Sequence, residues 1–356
     1  MSREKNGMAM AGEHDRLLSI EEISRETGLE ESVLRFYESE YGAELPDKIL
    51  RGDVLSFPAV AVDAFRQLHA RRTAASGATP KVAAAGSFAR VIAVTSGKGG
   101  VGKTNLALNL AIELQRLGKL CLVLDADMGM ANVHLLAGVN PSLSLMAVLN
   151  DQVAMADIIV EGPAGIGLIP GGSGLVALAD SSRSERLKLV RALQQVELAA
   201  EIILVDTGAG MGAGVRDFLV AADDVLFVLT PDITSLADSY GLLKALHQER
   251  DFAGRPVYSV INMVHSLTEA ADVAQRFADC ARRFLGQEVE NLGYIMKDAT
   301  VGGATVRRTP YCIFRPQARV SVNTRNVARA ILKREQPEIR LSSSFGRFLE
   351  RLQGKL

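Results

Sequence analysis

The residues with the clearest chemistry form a glycine-rich stretch, G-K-G-G-V-G-K-T at positions 97–104. Glycines let the backbone wrap around an anion and direct its N–H groups at phosphate oxygens. In this spacing Lys103 can reach the β- and γ-phosphates of a nucleotide, and the hydroxyl of Thr104 can bind Mg²⁺. The stretch predicts a nucleotide-binding loop made of Gly97, Lys98, Gly99, Gly100, Val101, Gly102, Lys103, Thr104 and Asn105.

A second lysine, Lys98, stands five residues before Lys103. An ordinary phosphate-binding loop has no need for it, so Lys98 calls for a separate role. A plain glycine-rich turn is the alternative interpretation of the whole stretch. It fits badly, because a turn would have to acquire a preceding strand, the motif spacing and a following helix by accident.

Carboxylates follow two other apolar runs, Asp125-Ala126-Asp127 and Asp206-Thr207-Gly208. An isolated Asp at a strand end most often caps the next helix. Beside a phosphate-binding loop, it can instead hold Mg²⁺ through water or orient the attacking water. We expect Asp125 and Asp206 in the outer shell of a Mg²⁺ ion that Thr104 binds, although spacing alone does not separate the roles of Asp125 and Asp127.

The elements that must position these residues alternate between apolar runs and helical patterns. The runs are Val91–Thr95, Leu120–Asp125, Ile202–Asp206, Val225–Thr230, Val257–Asn262 and Leu292–Ile295. Continuous apolar strands between helices indicate a parallel sheet covered on both faces, with ligands at the carboxyl ends of the strands. The sequence therefore predicts a doubly wound, mainly parallel α/β fold of the P-loop NTPase type.

Composition narrows the class of protein. The formal net charge is −1, so any contact with nucleic acid or membrane must be local. We expect a cytoplasmic chain, because neither a signal peptide nor a long apolar span is visible. The three cysteines are far apart, which argues against an iron–sulfur carrier. An Ala/Gly/Ser stretch at 73–87 predicts a linker between a small module at 17–72, all-α or winged-helix, and an ATPase domain at 88–335.

The loop with its extra lysine resembles that of the MinD/ParA family of P-loop ATPases. There this "signature lysine" reaches the partner's phosphates across an ATP-sandwiched homodimer. The resemblance implies that Lys98, Lys103 and Asp127 are the catalytic residues, the two lysines on the phosphates and Asp127 positioning water, with ATP and Mg²⁺ bound.

Further segments resemble the flagellar branch of that family, FlhG (FleN). "LDADMGMANVHLLAG" resembles the switch I segment of MinD and FlhG, and "GPAGIGLIPGGSG" resembles the next loop of FlhG. Asn262, after "VYSVI", matches the asparagine that reads the adenine edge in the family. An amide offers a donor and an acceptor together, which suits adenine.

The C-terminal residues 344–356 predict an amphipathic, basic helix that could lie on anionic lipid. Its apolar residues are Phe345, Phe348, Leu349, Leu352 and Leu356. MinD and FlhG carry tails of this kind as membrane anchors. A last helix packed on the core is an equally good interpretation of the pattern.

The N-terminal module resembles the helix-turn-helix and wing of MerR-type regulators. Ser19 would cap a first helix, Thr27-Gly28 would make the turn, and Ser32 would open a recognition helix carrying Arg35, Phe36 and Tyr37. Charge argues against DNA binding, because residues 17–72 carry eleven acidic and seven basic side chains, a difference of −4. Contact with protein is at least as good an interpretation.

These features together predict a Mg²⁺-dependent ATPase that dimerises with ATP, associates with the inner face of the cytoplasmic membrane, and limits the number or placement of flagella. Its expected partners are a flagellar GTPase or components of the switch complex. The alternatives are an ATP-gated DNA-binding or nucleoid-associated regulator that acts through the N-terminal module, and a positioning scaffold for another polar machine.

Overall fold

The computed structural model describes residues 17–29, 31, 34–35, 37–38, 45–46, 48–51, 54–76, 88–127, 132–143, 145–171, 193–194, 196–197, 200–334 and 343–346. They fall into two compact units, Met1–Gly86 and Ser87–Leu356. Among the described residues, no helix combines the length and the apolar character that crossing a bilayer requires.

Among its described residues, the smaller unit contains a three-stranded antiparallel sheet and two helices. In chain order these are β1 (Leu17–Ser19), α1 (Ile20–Thr27), β2 (Ile49–Arg51), β3 (Val54–Pro58) and α2 (Ala61–Ser76), with sheet order β1-β3-β2. The unit is thus not all-α. Helix α2 also extends to Ser76, four residues into the stretch predicted to be a linker, because its Ala-rich end is compatible with helix.

Helix caps and an aromatic contact stabilise the smaller unit. The predicted cap is confirmed: the Ser19 hydroxyl accepts the Glu22 N–H, and the Glu22 carboxylate accepts the Ser19 N–H. Helix α1 ends at Gly28, whose φ of 75° favours glycine. Phe57 and Phe65 meet edge to face at 5.6 Å in the core.

The larger unit is built on an eight-stranded sheet. The strands are β4 (Arg90–Thr95), β5 (Cys121–Ala126), β6 (Val160–Glu161), β7 (Gly167–Ile169), β8 (Ile202–Thr207), β9 (Asp224–Leu229), β10 (Val257–Val264) and β11 (Val289–Met296). Their order is β11-β10-β9-β4-β8-β5-β7-β6, and β6 alone of these strands pairs antiparallel. The predicted parallel fold and all six predicted strands are confirmed. Two strands were missed, β6 at the edge of the sheet and β7 beside it, because they are only two and three residues long.

Helices connect the strands and cover both faces. In the described part of this unit they are α3 (Lys103–Arg116), α4 (Val133–Ala137), α5 (Leu145–Leu149), α6 (Ala213–Ala221), α7 (Ile233–His247), α8 (Leu267–Leu285), α9 (Thr300–Val306), α10 (Tyr311–Phe314) and α11 (Arg319–Leu332). Short 3₁₀ turns lie at Met155–Ile158, Pro163–Gly165 and Arg250–Phe252.

Two apolar clusters show how the sheet is sandwiched. In β4, Val91 and Ala93 belong to the cluster that includes α6, α7 and α8, whereas Ile92 and Val94 belong to the cluster under α3 and α11. Successive strand residues point to opposite faces, so each strand supplies both clusters. This burial on both faces accounts for the continuous apolar runs in the sequence.

Candidate functional site

The glycine-rich loop joins β4 to α3, and α3 begins at Lys103 itself. Gly100 and Gly102 have φ values of 77° and 90°, a region that glycine enters without steric cost. These conformations let successive N–H groups line the N-terminus of α3, where the helix dipole favours anions. The predicted strand–loop–helix context of the motif is therefore present.

A cavity of about 910 Å³ opens above this loop. Eight of the predicted site residues line it: Gly99, Gly100, Gly102, Lys103, Thr104, Asn105, Asp127 and Asn262. The wall away from the loop includes Met296, Lys297, Asp298 and Arg308. No single residue of this wall was predicted, but the segment 293–316, to which all four belong, resembles the one that closes the nucleotide site in the MinD/ParA family. The arrangement fits an elongated anion with an organic group at one end.

Asp206 lies at the end of β8 and is 1% exposed. Neither of its carboxylate oxygens has a hydrogen-bond partner among the described residues. Burial, followed by the nearby Asp125 and Asp127 charges, raises the pKa of Asp206 to about 7, against the opposing influence of Thr104 and Lys103. A buried carboxylate with unsatisfied oxygens calls for a ligand such as a hydrated cation.

Asp125 is a neighbour of Asp206 across the β5–β8 register and is also 1% exposed. Its Oδ2 accepts the Val133 N–H at 3.0 Å and its Oδ1 accepts the Asp127 N–H at 3.3 Å. Burial raises the pKa of Asp125 to about 6, although these backbone N–H groups oppose the rise. Asp125 thus fixes the start of α4 as well as the backbone of Asp127.

These oxygens suit Mg²⁺. The Thr104 hydroxyl and the carboxylates of Asp206, Asp125 and Asp127 are the hard donors that this ion prefers. Among the described residues, no cluster of three or more His, Cys, Asp or Glu side chains is placed to hold a metal ion by itself. The set therefore fits an ion that keeps waters and takes part of its coordination from a bound phosphate.

Lys98 lies on the other side of the loop from Lys103. Its Nζ donates to Asp232 Oδ2 and to Thr234 Oγ1, both at 2.6 Å. The Lys98 ammonium holds the pKa of Asp232 well below its usual range, at about 2, with the Thr234 N–H and hydroxyl contributing. In the single chain, therefore, the signature lysine is held by residues at the start of α7. The sequence did not predict these contacts of Asp232 and Thr234, because an Asp before a helix indicates only an N-cap. Asp232 is the N-cap of α7 and also the partner of Lys98.

The first glycine of the loop contacts the same helix. A Cβ at Gly97 would lie 2.1 Å from the backbone of Asp238 and Ser239, so only glycine fits. Gly97 N–H donates to Ser239 Oγ at 3.1 Å. Gly97 is absent from the residues that line the large cavity.

The predicted membrane-binding residues are placed only in part. Phe345 is 1% exposed and belongs to the core cluster beneath α6–α8, so in this structure it faces protein and not lipid, which corrects its assignment. Beside it, Glu197 accepts the Ser344 N–H at 2.7 Å and bonds the Ser343 hydroxyl. Phe348, Leu349, Leu352 and Leu356 lie outside the described residues.

The predicted recognition helix of the smaller unit is likewise described in part. Tyr37 is fully buried and cannot contact DNA, which corrects the placement of that side chain on a binding surface. Arg35 is exposed and lies 3.8 Å from Glu31 one turn earlier. Ser32 and Phe36 lie outside the described residues.

Comparisons with known proteins agree with this geometry. Residues 89–252 match the protein family described as "AAA domain". The chain is 35% identical to "Antiactivator FleN" of Pseudomonas aeruginosa over 243 residues, which cover 68% of this chain and 86% of that protein. It is 36% identical to "Flagellum site-determining protein YlxH" of Helicobacter pylori over 207 residues, covering 58% and 69% of the two chains.

Among solved structures, a similar one is the MinC:MinD cell division protein complex of Aquifex aeolicus. The match has a TM-score of 0.55 and 25% identity, and it covers 71% of this chain and 100% of the other. The family match at residues 89–252 contains the phosphate-binding loop.

Proposed function

This chain belongs to the MinD/ParA family of P-loop ATPases, and on that premise we propose that it is an ATP-dimerised switch that sets the number or placement of flagella. The observation that carries the proposal is Lys98, a second loop lysine held by an ion pair outside the nucleotide cavity. A lysine needed only for its own chain's phosphates would line that cavity. The name of the relative YlxH, a flagellum site-determining protein, supports the flagellar role, and so does the resemblance to the flagellar branch of the family.

For hydrolysis, the residues supply position and charge. The loop N–H groups and Lys103 hold the β- and γ-phosphates, and Asp127 orients the attacking water from the cavity wall. The Asp125 carboxylate accepts the Asp127 N–H and so fixes the position of the Asp127 backbone, from which that side chain extends. When bound, Mg²⁺ neutralises phosphate charge, and Thr104, Asp206 and Asp125 are the residues that would hold it. Asn262 contacts the nucleotide from the opposite wall.

Dimerisation gives Lys98 its function. In the ATP state Lys98 leaves Asp232 and Thr234 and reaches the phosphates bound by the partner. The two side chains are 41% and 45% exposed, so solvent screens the ion pair. Breaking it therefore costs less free energy than a contact between Lys98 and a triphosphate gains. ATP thus favours the dimer, and hydrolysis releases it.

The dimer would act at the inner face of the cytoplasmic membrane through the tails at 344–356. One short amphipathic helix binds lipid weakly, whereas two in a dimer bind much better through effective concentration. Since Phe345 is packed in the core, the lipid-binding residues in this arrangement are Phe348, Leu349, Leu352 and Leu356. Flagellar GTPase or switch-complex proteins are the partners the switch would place.

The test combines enzymology with flagellar counts. The change Lys98→Ala should abolish turnover that depends on protein concentration and leave the unfolding temperature unchanged. In P. aeruginosa cells lacking FleN, the wild-type chain should restore the parental flagellar number, and the Lys98→Ala chain should not. Unchanged turnover in Lys98→Ala would refute the cross-dimer role, and a failure of the wild-type chain to alter flagellation would refute the flagellar role.

A second function, DNA binding by a MerR-like module at 17–72, is favoured by the capped helix α1 and the exposed Arg35. The net charge of −4 across this module opposes it. If the module binds duplex DNA, Arg35→Ala should remove binding that weakens steeply with salt. Salt-independent or absent binding would leave protein contact as the module's role.

A further inference from the structure

Two side chains from other elements hold the backbone of the phosphate-binding loop. Ser239 of α7 accepts the N–H of Gly97, at the loop's start, at 3.1 Å. Asn262 of β10 donates its Nδ2–H to the carbonyl of Val101, near the loop's end, at 2.7 Å. Inside the loop, the Ser96 hydroxyl donates to the Lys98 carbonyl at 2.7 Å. The loop is thus held from outside at both ends.

The orientation of the Asn262 amide follows from its second contact. Its Oδ1 accepts the N–H of Met263 at 2.9 Å, which leaves Nδ2 directed at the Val101 carbonyl. Met263 has a φ of 59°, a conformation that costs energy for a residue with a side chain. Backbone strain and the contact that fixes the amide thus coincide at Met263.

The spacing of the glycines reserves room for this amide. A Cβ at Gly102 would lie 2.6 Å from Asn262 Nδ2, closer than any side chain tolerates. Gly102 thus has a reason to be glycine besides its φ of 90°. The loop sequence and the end of β10 are matched to each other.

We infer that Asn262, together with Ser239, is a positioning residue that holds the phosphate-binding loop in its anion-binding shape before nucleotide arrives. Because Val101 O is engaged by Asn262, the peptide that joins Val101 to Gly102 is fixed, and the N–H of Gly102 is fixed with it. A loop whose N–H groups are already aligned pays no reorganisation cost when phosphate binds. The inference rests on the proposed function and adds a role that does not depend on the base.

The two roles of Asn262 make different demands on the ligand. Reading the adenine edge affects only ligands with that edge, whereas holding the loop affects every ligand with a diphosphate. Ribose 5-diphosphate carries the same two phosphates and has no base, and neither it nor ADP has a γ-phosphate to hydrolyse during the measurement. Affinity for ribose 5-diphosphate therefore isolates the role in positioning.

The experiment is calorimetric titration of the full chain with Mg²⁺ and either ADP or ribose 5-diphosphate. For Asn262→Ala, we expect the Kd for ribose 5-diphosphate to rise about five- to tenfold, in line with the loss of one hydrogen bond, and the Kd for ADP to rise at least as much. Alanine is used because an Asp at this position would repel phosphate directly. Ser239→Ala should raise both constants by a similar, base-independent factor.

Matched controls exist within the same elements. Asn291 of β11 makes the same kind of contacts, donating to Ser259 O at 3.3 Å and accepting the Gly293 N–H at 3.1 Å, away from the loop. Ser235 of α7 is fully buried and accepts the Thr230 N–H at 3.1 Å. Asn291→Ala and Ser235→Ala should leave both dissociation constants unchanged, and unfolding temperatures identify any variant that does not fold.

An unchanged Kd for ribose 5-diphosphate in a folded Asn262→Ala chain would overturn the inference and return Asn262 to base recognition alone. Equal losses in Asn262→Ala and Asn291→Ala would also overturn it, since the effect would then be general to the sheet. Failure of the wild-type chain to bind ADP would count instead against the proposed ATPase function, so the two failures are distinguishable.

Discussion

At the scale of single residues, the pairing of Lys98 with Asp232 separates this loop from an ordinary phosphate-binding loop. The same lysine that is proposed to serve a partner is held in the single chain at 2.6 Å by a carboxylate on α7. The pair therefore competes with dimerisation, and its removal should be measurable as a change in assembly.

Asp232→Ala should shift the ATP-dependent dimer to lower protein concentration, within about tenfold, because Lys98 no longer has to leave its partner. Sedimentation velocity in ATP measures the shift. Asp272→Ala removes a similarly exposed carboxylate, paired with Arg276 on α8, and should have no effect. A weaker dimer in Asp232→Ala would show that Asp232 contributes to the interface itself.

Asp127 is the residue proposed to orient water, and Asp127→Asn tests it. The amide cannot accept a proton, so we expect turnover to fall by about 100-fold or more while ATP binding persists. Steady-state phosphate release and nucleotide titration give the two quantities. Normal turnover would pass the role to Asp125, which the spacing in the sequence could not distinguish from Asp127.

At the scale of elements, the helical residues 344–346 join the C-terminal region to the core through Phe345. Phe345→Ala should lower the free energy of unfolding by about 3 kcal/mol, because it empties a site in the core. Removing residues 347–356 should change it little. Denaturant unfolding of both variants makes the comparison, and a Phe345→Ala chain of full stability would restore Phe345 to the lipid-binding set.

The same junction should depend on pH. Burial raises the pKa of Glu197 from 4.5 to about 7, opposed by Ser343 and Ser344 and reinforced by Asp223. Below pH 4.5 both the folded and the unfolded chain carry the proton. As the pH rises from there to about 7, the unfolded chain ionises first, so up to about 3 kcal/mol of stability is lost.

Glu197→Gln removes this titration while its side-chain oxygen can still accept the Ser344 N–H. Thermal unfolding between pH 4.5 and 8 should show the wild-type chain losing stability relative to Glu197→Gln as pH rises, with a plateau above about pH 7. Parallel pH profiles for the two chains would mean that Glu197 does not titrate in this range.

At the scale of the whole molecule, the fold of the larger unit could be predicted from the sequence because burial on both faces of a parallel sheet requires long apolar runs. The loop could be predicted because phosphate binding dictates residue type and spacing. The contacts of Lys98 with Asp232 and Thr234, and of Gly97 with Ser239, could not be predicted, since they join positions more than 130 residues apart through packing that no local pattern records.

In the C-terminal region and the smaller unit, the sequence did not determine which side chains are buried. The spacing of Phe345 fits a lipid-facing helix and a packed helix equally well, and packing against the core decided its position. Tyr37 was assigned to a recognition helix by resemblance to MerR-type regulators, which does not say whether its side chain is buried, as it is here.

The proposed membrane association depends on the whole assembly. Co-sedimentation with anionic vesicles should require ATP and residues 347–356 together, because only the dimer presents two tails. Lys98→Ala in ATP should behave like the wild-type chain in ADP. Binding of the wild-type chain that ignores nucleotide would separate the tail from the ATPase cycle.

The close approach of Gly97 to α7 has a consequence for anyone who transplants this loop. The first glycine of the phosphate-binding motif is required by a neighbouring helix, whose backbone would lie 2.1 Å from a Cβ, and not by the phosphate. On a scaffold without that helix, an alanine could stand there and anion binding would survive. In this chain, Gly97→Ala would displace α7, which Asp232 caps, and the contact of Lys98 with Asp232 would be the first to be lost.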